Sequence, residues 1–211
     1  MIPKIQYYEN LADSLIEKFG PRGIEGYYCN TKEDTLTLIK SLLTENATIS
    51  WGGSETLRQI GLLDELRSSN YIIYDRNTAK KTEEKNAMYS KIVTSDFFFC
   101  SSNAITLDGE LVNIDGNGNR VACLITGPKN VIVIAGMNKV VTDVDSAMKR
   151  IRNHAAPMNA LRLGLKTPCS TLGKCVNCLS NDCICCETVI TRKSRIPNRI
   201  KVILVGEDLG Y

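Results

Sequence analysis

The sequence predicts an α/β fold, an open mixed sheet with helices on both faces. Three observations carry this. Stretches with apolar residues at helical spacing alternate along the chain with short apolar runs. The run Asn130–Ala135 is apolar almost throughout, as a strand covered on both faces is. The middle of the chain carries hairpin signals, which add antiparallel pairing. Helices interleaved with such strands bury their apolar stripes on a sheet, and ligands of these folds sit at the strand carboxyl ends.

In order, Tyr8, Leu11, Ala12, Leu15, Ile16 and Phe19 recur at helical spacing, and Gly20-Pro21 stops that helix. Gly26–Cys29 is a short strand, and Thr35–Leu43 a second helix that Asn30 or Thr31 is placed to cap. The strand Ala47–Trp51 runs directly into Gly52-Gly53-Ser54-Glu55-Thr56, after which Leu57, Ile60, Leu63 and Leu66 return to helical period. Tyr71–Tyr74 is expected as a buried strand, Asp75–Lys85 as a surface loop or helix start, and Asp96–Ser102 as an apolar strand opening on polar residues. Asn103–Ile114 reads as a hairpin turning at Asp108-Gly109, with a second turn at Asn117-Gly118. Gly127-Pro128 breaks the chain before the central strand. A helix follows from about Val144, with Asp143 and Asp145 at its positive end, and Ile200–Val205 closes the fold.

Length and composition describe one globular domain: an α/β body over residues 1–165, a cysteine-rich loop over 166–190, and a segment over 191–211 that returns to the sheet. Lys and Arg number 26 against 23 Asp and Glu, too small an excess to mark a nucleic-acid binder. The one dense basic patch, Arg192, Lys193, Arg195, Arg199 and Lys201, reads as a solvated or cluster-flanking surface. No apolar run reaches membrane-spanning length and the start is mixed and polar, so a cytoplasmic protein without a membrane partner is expected.

Two stretches carry chemistry. Thr167–Cys186 holds six of the nine cysteines: Cys169, Cys175, Cys178, Cys183, Cys185 and Cys186. Cys175-Val-Asn-Cys178 sets two sulfurs on a tight turn, suited by Lys174 and Asn177, with Gly173 permitting close backbone approach. Spacing leaves an iron–sulfur cluster, a structural zinc and disulfide or redox-thiol chemistry open, although a second zinc knuckle fits poorly. Cys29, Cys100 and Cys123, beside apolar strands, are expected as small core residues. The second stretch is the glycine turn after Trp51, where Gly52, Gly53, Ser54 and Thr56 can present backbone N–H groups and hydroxyls to an anion, although a glycine turn with a Ser cap also begins many plain helices. Ser101-Ser102-Asn103 and Gly136-Met137-Asn138-Lys139 also follow strands, so Asn138 and Lys139 join the expected pocket. Lone His154 reads as a helix-surface residue, and Asp115 with Arg120 as a cleft-wall pair or a hairpin salt bridge.

WGGSETLRQIGLLDEL, NIDGNGNRVACLITGPKNVIVIAGMNKVV, DVDSAMKRIRNHAAPMNALRLGLKTPC and RIKVILVGEDLGY resemble, in that order, the LUD (lactate-utilisation) domain family, and within it single-domain members with a C-terminal cysteine motif. The resemblance runs from about Leu11 to the last residue. It implies a fold similar to the ribose-5-phosphate isomerase, CoA-transferase and 5-formyltetrahydrofolate cyclo-ligase group. It also implies a [4Fe–4S] cluster on Cys169, Cys175, Cys178 and Cys185. Cys183 and Cys186 depart from the family pattern and read either as packing or incidental thiols or as alternatives to Cys185 as ligand. The implied role is an accessory or electron-transfer component of lactate oxidation to pyruvate, with iron–sulfur protein partners and an organic-anion or cofactor pocket. The alternatives are a CoA-transferase-like or sugar-phosphate-isomerase-like enzyme with a structural cluster, for which Glu55 and Glu110 are the candidate carboxylates, and a cluster-dependent sensor.

Overall fold

A computed structural model describes residues 3–211. Helix α1 (Pro3–Phe19) buries Ala12, Leu15 and Phe19, a stripe at helical spacing, and ends at Gly20-Pro21. Strand β1 (Ile24–Cys29) follows. Helix α2 (Lys32–Leu42) starts where the Thr31 side chain accepts the Asp34 N–H. Strand β2 (Thr48–Trp51) leads into α3 (Glu55–Gln59). Gly61, in the left-handed region at φ 72°, separates α3 from α4 (Leu62–Arg67) and breaks the single helix the sequence predicts. Then come β3 (Ile72–Tyr74), α5 (Thr82–Ile92), β4 (Phe97–Cys100), β5 (Ala104–Thr106) and β6 (Leu111–Asp115). Next are α6 (Asn119–Ile125), β7 (Asn130–Gly136), β8 (Val140–Val141) and α7 (Val144–Arg150). The chain ends with α8 (Ala156–Arg162), α9 (Pro168–Leu172), β9 (Glu187–Thr191) and β10 (Ile200–Val205).

Six strands form one wholly parallel sheet in the order β1-β10-β7-β4-β2-β3. Alternate residues of its strands serve two cores, one on each face. Phe98, Val131, Val133, Val202 and Leu204 pack with Leu15 and Phe19 of α1. Phe97, Phe99, Ile132, Ile134 and Ile203 pack with Ile39 of α2, Leu57 of α3 and Leu62 of α4. The expected antiparallel pairing is present but segregated: β5 and β6 form the hairpin, turning at Gly109 (φ 86°), within a separate four-stranded sheet ordered β8-β5-β6-β9. That sheet packs on Ala147 and Ile151.

Two expectations are corrected, on β3 and on Arg199. Strand β3 lies at the sheet edge with Ile72 half exposed, so it is not a buried strand. The second turn expected at Asn117-Gly118 is present and leads into helix α6, with Gly118 at φ 72° as its N-cap. Strand β10 is the last strand of the chain, as expected, and lies between β1 and β7 in the sheet. Arg199 is buried, its guanidinium donating to the carbonyls of Pro128, Leu124 and Cys123, and so belongs to no surface patch.

Between α7 and α8 the helix widens over Ile151–Ala155, where the Ala156 N–H bonds the Ile151 carbonyl five residues back. Pro157, which has no N–H to give, follows immediately, and the widened turn absorbs that missing donor.

Candidate functional site

Five strands of the parallel sheet deliver their carboxyl ends to one cavity of about 200 Å³. Gly53, Ser54 and Thr56 come from the end of β2, Arg76 from β3, Ser101 to Asn103 from β4, Lys139 from β7, and Gly210 with Tyr211 from β10. Helix α8 adds Asn159 and Arg162.

One wall rests on Arg120. Its guanidinium donates to the carbonyls of Ser101 (3.0 Å) and Ile114 (2.8 Å) and to the Oδ1 atoms of Asn113 (2.6 Å) and Asn103 (3.1 Å). Its Nε lies 3.2 Å from Asp115 Oδ2, while Asp115 Oδ1 accepts the Asn117 and Gly118 N–H groups that begin α6. The pair therefore orders the cleft wall, joining strand, turn and helix. Gly52 makes room for it: a Cβ there would stand 3.0 Å from Arg120 Cγ and 3.1 Å from Cδ.

Lys139 is 4% exposed. Its Nζ donates to Thr56 Oγ1 at 2.7 Å and Ser101 Oγ at 2.9 Å, and among the described residues it makes no ion pair. Burial, with the like charges of Arg150 and Arg120 acting in the same direction, pulls its pKa down to about 7. Arg150 donates to the carbonyls of Asn103, Asn138 and Tyr211, which fastens the C-terminal tail across the strand ends. Of the two carboxylates in the lining, Asp115 is taken by Arg120, and Glu55 is held by Arg58, whose hydrogen bonds keep its carboxyl below the usual range. The cavity is thus cationic, with hydroxyl and amide groups between the charges.

The second cavity, about 170 Å³, is enclosed by the cysteine loop and α8 and lined by Cys169, Cys175, Cys178, Cys183 and Cys185. Cys186 is exposed and outside it, and all nine cysteines are free thiols. Gly173, at φ 69°, ends α9, and nothing lies near where its Cβ would be, so its role is a left-handed cap, not close approach. Asn177, at φ 54°, turns the chain so that its N–H points at Cys175 Sγ, 3.3 Å away, and the Cys185 N–H likewise points at Cys183 Sγ, at 3.4 Å. Burial pushes the Cys185 thiol up to about 12, and Cys183, Cys169 and Cys175 add to it, so these thiols crowd one another. Hydrogen bonds with Ser180 lower Cys178. Among the described residues, no three Cys, His, Asp or Glu side chains are grouped to hold a single metal ion. The thiols surround a chamber, with backbone N–H groups aimed at two sulfurs, and that donor set fits an iron–sulfur group.

The two cavities share Ile184. Gly116 lets the loop come this close, since a Cβ on it would stand 3.2 Å from Ile184 Cα. Helix α8 and the turn before it lie between the cavities, giving Ala155, Asn159 and Arg162 to the cationic one and Arg152 and Ala156 to the thiol one.

A family model described as the LUD domain matches residues 12–205. The chain belongs to the LUD domain family. A DUF162 family protein from Deinococcus radiodurans is similar to this LUD domain in fold, with a TM-score of 0.54 at 11% identity over 94% of this chain and 98% of that one. Ribose 5-phosphate isomerase from Plasmodium falciparum matches 53% of this chain and 52% of its own at 18% identity; its TM-score of 0.32 is too low to argue from. No curated protein matches the sequence.

Of the pocket residues expected from sequence, this LUD domain places Gly53, Ser54, Thr56 and Lys139 on the cationic cavity. Gly52 sits behind Arg120, and Asn138 anchors the tail by accepting the Leu209 N–H at 3.1 Å, so neither lines it. The Ser54 hydroxyl also accepts the Leu57 N–H as the cap of α3. Cys169, Cys175, Cys178 and Cys185 all line the thiol cavity. Glu110 lies off the site, 3.9 Å from Arg22, and His154 is exposed on its helix. Sequence reasoning missed Arg76, Asn159 and Arg162. Ala155, Asn159 and Arg162 share a helix face by spacing, which was a usable signal; Arg76 had none.

Proposed function

We propose that this LUD-domain chain is a cytoplasmic iron–sulfur protein of lactate utilisation, an accessory or electron-transfer component that works with iron–sulfur partners in the oxidation of lactate to pyruvate. The observation that supports it is the meeting of two unlike cavities at Ile184, one lined by thiols and the other by cations. Cys169, Cys175, Cys178 and Cys185 would hold a [4Fe–4S] cluster, with Cys183 the fifth thiol on the same chamber. Bound there, the cluster supplies a one-electron store. The cationic cavity holds a small organic anion: Arg76 and Arg162 attract its carboxylate, and Ser54, Asn103 and Asn159 add polar groups to the same lining.

Reductive titration of anaerobically prepared protein tests the reading. Visible absorbance should bleach with dithionite and return on reoxidation, and small carboxylates such as lactate should raise the melting temperature of the wild type but not of Arg162→Ala combined with Lys139→Ala. Absorbance that cannot be cycled without unfolding the chain would turn the reading toward a structural cluster beneath a transferase-like or isomerase-like cavity, with Glu55 as its carboxylate.

A further inference from the structure

We propose that Lys139 is a nucleophilic amine that forms a reversible imine with the carbonyl carbon of a small 2-oxo carboxylate seated in the strand-end cavity. The proposal rests on the reading of that cavity as a carboxylate site and adds covalent chemistry to it.

The geometry prepares the amine for this. The two hydroxyls that Nζ contacts have their own hydrogens directed elsewhere, Thr56 Oγ1 toward the Leu209 carbonyl at 3.5 Å and Ser101 Oγ toward the Ser102 carbonyl at 3.3 Å. Both therefore accept from Nζ. A neutral amine that spends its two N–H groups in this way keeps its lone pair in the one tetrahedral direction left over. A buried lysine is usually matched by a carboxylate; here the charged neighbours are Arg120 from α6 and Arg150 from α7, each already bonded to carbonyl or carboxylate oxygens. The other charged groups on the cavity are Arg76, Arg162, Asp115 paired with Arg120, and Glu55 paired with Arg58. Among these cations, Lys139 is the one that can shed its proton near neutral pH, since arginines do not.

The same surroundings define the substrate class. A cavity of about 200 Å³ suits an acid of a few carbons. Its carboxylate belongs with the arginines and its carbonyl with Lys139. In the step itself, the Nζ lone pair adds to the carbonyl carbon while a proton passes from nitrogen to the former carbonyl oxygen, a transfer that the Ser101 or Thr56 hydroxyl can relay. The resulting carbinolamine expels that oxygen as water and leaves a C=N bond. Water is the only by-product, hydrolysis reverses the step, and no oxidant or reductant takes part.

The test uses the full chain, pyruvate as probe and cyanoborohydride to trap the imine, with intact-mass and peptide-level readout. The expected result is a single adduct on the peptide carrying Lys139, formed faster as pH rises through about 7, suppressed at least several-fold by excess lactate, and absent from Lys139→Arg. No adduct in the wild type, or adducts scattered over exposed lysines, overturns the proposal whether or not the variant folds. A melting-temperature rise with lactate but no trapped pyruvate removes the imine and keeps the carboxylate site; no rise with either acid removes both.

Discussion

The two cavities that meet at Ile184 are built by opposite means. The strand-end cavity is fixed by the fold itself: Arg120 satisfies five polar partners, Thr56 and Lys139 are almost fully buried, and five strands of the central sheet lead into its lining. The thiol cavity is enclosed by irregular chain between α9 and β9, in which Leu179 is 98% exposed. That chain is tied to the second sheet by the Cys186 N–H on the Asp115 carbonyl and by Cys185 packing against the cluster of Ala104, Val112, Ile114, Ala147 and Ile151. One site is preorganised by burial. The other gathers five sulfurs with little apolar burial of its own, and a metal group bound there would contribute order that side-chain packing does not.

Replacing Cys175 and Cys178 together by Ser should have the largest effect: loss of essentially all bound iron, and limited proteolysis beginning within residues 173–186. Hydrogen exchange in β7 and β10 should stay slow, and fast exchange there would mean that the two regions are not separable. Arg120→Met strikes the other side of the comparison by leaving Asp115 and several buried acceptors without their donor. Urea unfolding should show a loss of about 3–5 kcal/mol, with iron content unchanged. Gly52→Ala presses the new methyl against Arg120 and should cost about 1–3 kcal/mol by the same measurement.

A further effect concerns pH. The folded pKa of Lys139, about 7, lies below its ordinary 10.5, so between these values the unfolded chain binds the proton that the folded chain has released. Stability contributed through this group therefore rises as pH climbs from about 7 toward 10.5. Urea midpoints at pH 7 and 9 should show this rise in the wild type and a flatter response in Lys139→Met; equal slopes would place the proton elsewhere.

The sequence made legible what is local. The apolar strands Phe97–Cys100 and Asn130–Gly136, the α1 stripe and the Thr31 cap follow from periodicity and side-chain chemistry within a few residues. Burial of Cys29, Cys100 and Cys123 followed from their apolar surroundings, and burial pushes Cys100 up to about 12 and Cys123 to about 11. Long-range pairing was not legible. Nothing near Ile200 says that β10 slots between β1 and β7, and the edge position of β3 depends on what fails to pair beyond it. Helix α6 was hidden because Gly118 with positive φ serves a helix start as well as a hairpin, and seven residues are too few to display a period. At the site, the glycine turn and Lys139 were visible as residues that follow strands. The role of Gly52 as clearance for Arg120, and of Asn138 as a tether for the tail, exists only once distant segments meet.

The central claim, that the loop sulfurs hold an iron–sulfur group beside a cationic cavity, is tested most directly by iron and acid-labile sulfide analysis of protein purified without oxygen. The account predicts about four of each per chain, falling to background once Cys175 and Cys178 are both Ser. Protein that carries zinc or no metal, or that keeps its iron in the double variant, would contradict it.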